Sequence, residues 1–74
     1  MEKWFIIEAR WGGVWSWENL RGAEGVEDAM VREDSLVADQ LDPDQLAELA
    51  LDAGVGPHDV RVRPATPEEI ALVE

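Results

Sequence analysis

Seventy-four residues with a formal net charge of −11 and no cysteine make a short, strongly acidic chain. That length holds one domain, residues 1–74, with a thin core, because a chain of this size buries only about 60% of the surface it exposes when unfolded. The missing cysteines exclude a disulfide framework and thiolate metal sites, and the 46% of hydrophobic residues argues against disorder.

Residues 3–11 read as a strand, since Trp4, Phe5, Ile6, Ile7 and Trp11 all suit a pleated surface. The apolar run at residues 4–7 is too short for a signal-peptide core or a membrane span, so a soluble, cytoplasmic protein that avoids membranes is expected. Gly12-Gly13 then separates this run from Val14-Trp15-Ser16-Trp17, a hairpin signal, because glycine supplies the positive φ of a two-residue turn. Such a turn sets Trp11 opposite Val14, Arg10 opposite Trp15 and Glu8 opposite Trp17. Alternation places Phe5, Ile7, Ala9, Trp11 and Val14 on one face, and Trp4, Ile6, Glu8, Arg10, Trp15 and Trp17 on the other.

Residues 19–25 form a connection broken by Gly22 and Gly25. From Val26, apolar residues recur at Ala29, Met30, Leu36, Val37 and Leu41, a spacing that predicts a helix; a short hairpin around Glu33-Asp34 is the competing assignment. The following helix has the clearest boundaries. Asp42 caps it, Pro43 takes the first helical position, Gln45 completes a capping box, and Gly54 ends it. Leu46, Leu49, Ala50 and Ala53 form its inward stripe. Residues 60–63 alternate as a strand stopped by Pro64, and Thr66-Pro67-Glu68-Glu69 opens a last helix. The fold class is therefore α+β: an antiparallel sheet of about three strands, two to three helices packed on one face, order ββααβα.

Residues 18–52 hold eleven carboxylates against Arg21 and Arg32, which is −9 of the −11. On the helix at 42–53, Asp44, Glu48 and Asp52 recur every fourth residue, directly opposite the leucine stripe, with no cation between them, at steps of roughly 6 Å. Two phosphate steps of one DNA strand, at roughly 3.4 Å each, span a similar length. Glu24, Asp28 and Asp39 lie off the apolar stripe of the preceding segment. These six residues are the candidate contacts for a basic, nucleic-acid-binding protein partner, engaged by charge mimicry in a non-enzymatic, inhibitory manner. In size and charge the chain is similar to small acidic inhibitors that phages carry against host defence, a resemblance of composition that rests on no motif. Direct nucleic-acid binding is not expected, because phosphate contact needs the opposite sign.

Trp4, Trp15 and Trp17 are the candidate aromatic contacts, for a partner or for a second copy of the chain in a homodimer. This assembly role is the alternative function. Arg10 is placed to stack on Trp15. Arg61 and Arg63 share a strand face, where the acidic cluster or Glu8 can neutralise them. Catalytic signatures are weak. His58 and Asp59 follow Gly-Pro as turn residues, no nucleophile stands in a recognisable setting, and Pro43 breaks any calcium-loop reading of Asp39, Asp42 and Asp44. No enzyme activity, cofactor or metal is expected.

Overall fold

The computed structural model describes residues 3–74. Strand β1 (Trp4–Trp11) is the axis of the molecule. Residues 5–9 are buried without interruption, because neighbours cover both edges and both faces of this strand. Along one edge runs β4 (Val60–Pro64), antiparallel, with Ile7 opposite Val62 and Glu8 opposite Arg61. The other edge is divided: β2 (Val14–Ser16) pairs with its end from Ala9 to Trp11, and β3 (Met30–Arg32) pairs with its start from Trp4 to Ile6. The sheet thus has four strands but is only three strands wide.

The hairpin forms in the expected register, with Trp11 opposite Val14 and Arg10 opposite Trp15. Gly12 and Gly13 both have positive φ, 60° and 80°, as a two-residue turn of this hand requires. Trp17 departs from the expectation. It opens a short 3-10 turn, Trp17–Asn19, instead of pairing with Glu8. The chain leaves the sheet edge there, and Asn19 closes the ladder by donating from Nδ2 to the carbonyls of Ala9 (2.8 Å) and Val14 (3.0 Å). A second 3-10 turn, Val26–Ala29, leads into β3.

Residues 26–41 therefore form neither one helix nor a hairpin about Glu33-Asp34. The physical reason lies in β1. Strand β2 is only three residues long, so the start of β1 keeps an open edge, and Met30, Val31 and Arg32 complete it. Pairing across the sheet overrides the local period. After a 3-10 turn at Glu33–Ser35, Val37 and Gln40 exchange two backbone hydrogen bonds (2.8 and 3.0 Å) around Ala38 and Asp39.

Helix α1 (Pro43–Ala53) has the boundaries its sequence marks. Asp42 caps it by accepting from the N–H of Asp44 at 2.9 Å; Gln45 does not complete a box but lines the rim of a surface groove described below. Its end is a full Schellman turn: Gly54, at φ 74°, donates to the Leu51 carbonyl, and Val55 to that of Ala50. A one-turn helix, α2 (Pro67–Ile70), carries the expected capping box, with Thr66 and Glu69 reciprocally bonded. The helices do not share one face. Helix α1 lies over the side carrying Ile7 and Val31, whereas Glu69 and Glu74, at and beyond α2, bond to Arg63 and Trp4 of the opposite side. The sheet needs both covers because β1 is apolar on both faces.

Ala38 and Asp39 hold φ of 52° and 62°, a left-handed conformation that disfavours residues with a Cβ. Asn is favoured at the first central position of such a turn. Ala38→Asn should therefore raise stability by about 0.5–1 kcal/mol, or several degrees in Tm, measured by thermal unfolding.

Candidate functional site

Two charged regions differ in how their charge is met, and that difference defines the site. The first is built on Glu8, only 6% exposed at the middle of β1. The β1–β4 register sets Arg61 directly opposite it and Arg63 one step along the same face. Arg61 donates to Glu8 Oε1 from Nε (3.0 Å) and Nη2 (2.9 Å), and Arg63 Nε donates to Oε2 at 3.0 Å. The rest of the Arg63 guanidinium forms a two-bond fork with Glu69, both bonds 2.9 Å. Glu69 in turn accepts from the backbone N–H of Thr66 at 2.8 Å.

The network continues toward the hairpin. Arg61 lies over the Trp15 ring at 4.2 Å and Arg10 over the same ring at 5.4 Å. Arg10 is itself held by Asp59 through Nε at 3.0 Å and Nη2 at 2.6 Å. That bond commits Asp59 away from His58, which is exposed in the 3-10 turn Pro57–Asp59. The fork with Arg63 holds the Glu69 carboxyl well below its ordinary range, at about 2, against the opposing effect of burial. Arg63 is correspondingly held in its charged form, chiefly by Glu69. Arginine does not release its proton in proteins, so the network works as a fixed clamp that ties β4 and α2 to β1.

The aromatic candidates are absorbed into this side of the molecule. Trp15 is half-buried against the two arginines, and Trp17 packs on the core. Trp4 is also half-buried, donates from Nε1 to Glu74 Oε1 at 3.2 Å, and has Arg32 over its ring at 5.2 Å. They do not form a bare indole platform. The exposed tryptophan is Trp11, 61% exposed beside the equally exposed Val14, at the hairpin tip. Face assignment alone could not show this, because Trp11 shares its face with Ile7 but stands at the far end of the hairpin.

The second region is acidic. Glu24, Asp28, Asp39, Asp44, Glu48 and Asp52 are all exposed, and among the described residues none is in an ion pair. They fall in three places. Glu24 and Asp28 sit at the 3-10 turn before β3, where Asp28 Oδ2 accepts from the backbone of Glu24 (2.8 Å) and Gly25 (3.3 Å). Asp39 is at the tight turn, beside a hollow lined by Lys3, Trp4, Phe5 and Ile70. Asp44, Glu48 and Asp52 run along α1.

Their placement on α1 is not uniformly opposite the leucine stripe. Each four-residue step advances about 40° around the helix, so Asp44 faces away from the core while Asp52 stands only about 110° from the stripe's centre. Leu51, 81% exposed, occupies the outermost arc near Asp44. Glu48 and Asp52 consequently reach the lip of a groove of about 270 Å³ between α1 and the segment 31–41. Ile7, Val31, Leu36, Leu41 and Leu49 supply its apolar floor, and Gln45 and Ser35 complete the rim. The sequence hid this groove, because it depends on residues 31–41 running beside α1 as a strand and loop.

Among the described residues there is no group of three or more His, Asp or Glu placed to hold a metal ion, and no helix is long and apolar enough to cross a membrane. Compared with protein-family models, with curated proteins and with solved structures, the chain matches none.

Acid unfolding provides a check on the clamp. The folded value of Glu69, about 2, lies below its free value of 4.5, so its contribution is complete above about pH 4.5 and is lost as the pH falls toward 2. Glu69→Gln should lower stability at neutral pH by about 1 kcal/mol, a solvent-screened magnitude, and flatten the pH dependence within that window. Urea unfolding of both proteins across this range measures it.

Proposed function

We propose that the protein is a non-enzymatic inhibitor or regulator that presents an acidic, nucleic-acid-like surface to a basic groove of a partner protein. The observation that carries this reading is the segregation of charge. Arg10, Arg61 and Arg63 are consumed by Asp59, Glu8 and Glu69 inside the clamp, and Lys3 pairs with Glu33 at 3.5 Å. The carboxylates on α1 receive no such relief. Like charges four residues apart weaken a helix by a few tenths of a kcal/mol per pair, and a cationic partner surface would convert that repulsion into attraction. The roughly 6 Å rise between successive carboxylates supports a phosphate-like pattern.

The assembly reading is supported by one observation, the exposed pair of Trp11 and Val14 at the hairpin tip. An interface centred there would be apolar, and salt would leave it intact or strengthen it.

Capture of partners from a lysate of the native host, on the immobilised protein, separates the two. The mimicry reading expects a bound protein that is released by salt and by competing duplex DNA. A variant combining Asp44→Lys, Glu48→Lys and Asp52→Lys, with native circular dichroism, should bind it on the order of a hundredfold more weakly. Undiminished binding by this folded variant, with loss on Trp11→Ser, would instead establish the hairpin tip as the contact.

A further inference from the structure

The groove beside α1 combines two features that charge mimicry alone does not require. Its floor is apolar and drawn from three separate parts of the fold: Ile7 and Val31 of the sheet, Leu49 of α1, and Leu36 and Leu41 of the connecting segment. Its lip carries two carboxylates one helical turn apart, Glu48 and Asp52, with no Lys or Arg among the lining residues. At about 270 Å³ it lies below the roughly 300–1,000 Å³ typical of small-molecule pockets, and it is open on one side. A hollow of that size suits one large side chain. The acidic lip selects what surrounds that side chain, because it repels phosphate and attracts ammonium or guanidinium groups.

We propose that this groove is an anchor site for a single leucine- or phenylalanine-class side chain carried within a Lys/Arg-rich segment of the partner protein. The inference rests on the basic-partner reading and adds a specific recognition element to it. The anchor displaces water from the apolar floor, while basic residues flanking it in the partner pair with Glu48 and Asp52. This arrangement, an apolar centre within a charged rim, is the anatomy of an interface hot spot. It also gives the position of Gln45 and Ser35 a role, since these uncharged polar side chains line the rim without adding a cation that would repel a basic segment.

Synthetic Lys/Arg peptides bearing one central Phe, Leu or Ser are the probe, with affinity measured by calorimetry and contact located by the methyl resonances of Leu36, Leu41 and Leu49. The Phe or Leu peptide should bind about tenfold more tightly than the Ser peptide and shift those methyls. Gln45→Trp, which fills the groove from its exposed lip, should remove the preference and leave the weaker, charge-driven binding. Ser35→Phe from the opposite lip serves if that variant misfolds. Glu48→Gln with Asp52→Asn should weaken all the peptides and reduce their salt dependence. Equal affinity for the Phe and Ser peptides, with the charge dependence intact, would overturn the anchor while leaving the basic-partner reading in place. A Phe preference that persists with the groove filled would also overturn it. Binding to none of the peptides would overturn the anchor as well, and insensitivity to both carboxylate substitutions and salt would count against both proposals.

Discussion

A carboxylate buried in the central strand organises this molecule. Glu8 leaves water at the middle of β1, and leaving it unpaired there would cost several kcal/mol. Arg61 and Arg63 meet that demand from the neighbouring strand, and they reach it in one register only. A one-residue slip of β1 would turn Glu8 toward the apolar floor beneath α1 and present Ile7 to the arginines, because strand side chains alternate. The ion cluster thereby selects the pairing of β4, and through Glu69 it also fixes where α2 comes to rest. The apolar core alone specifies less. Four of its ten buried residues among those described are alanines, and Ile6 is the largest side chain with essentially no exposure.

The same cluster determines the outer charge. Three arginines are drawn onto one face of the sheet to neutralise Glu8, Glu69 and Asp59, and they are no longer available to the acidic segment. The imbalance of a −11 chain is thus expressed mainly at the 3-10 turn before β3, at the Ala38-Asp39 turn and along α1. Repulsion within that surface opposes compaction, and a small domain has little stability to set against it. Internal pairing within the clamp and unrelieved charge at these three surfaces are two consequences of one allocation of basic residues.

Much of the architecture was legible in local signals. Gly12-Gly13 set the hairpin register, Asp42-Pro43 and Gly54 bounded α1, and Thr66 with Glu69 marked α2, because each is a short-range motif with its own geometry. The stacking of Arg10 on Trp15 and the pairing of Arg61 and Arg63 with Glu8 followed from alternation along β1 and β4. Residues 26–41 were not legible, because Met30–Arg32 became a strand only to fill the edge that β2 leaves open. Trp4 and Trp15 lie on the face that strand alternation assigns them, whereas Trp17 leaves the strand for a 3-10 turn; arginines and the C-terminal turn cover Trp4 and Trp15, and sequence spacing does not carry such long-range contacts. The groove at Glu48 and Asp52 was invisible for the same reason.

The most direct test of the organising role of Glu8 is a double-mutant cycle of Glu8→Gln and Arg63→Gln, read by urea unfolding with Asp52→Asn as the control partner. A coupling between Glu8 and Arg63 of about 2 kcal/mol or more is expected, with Glu8 and Asp52 additive to within about 0.5 kcal/mol. Additivity of Glu8 with Arg63 would show that the ion cluster does not hold the sheet, and the account built on it would fail.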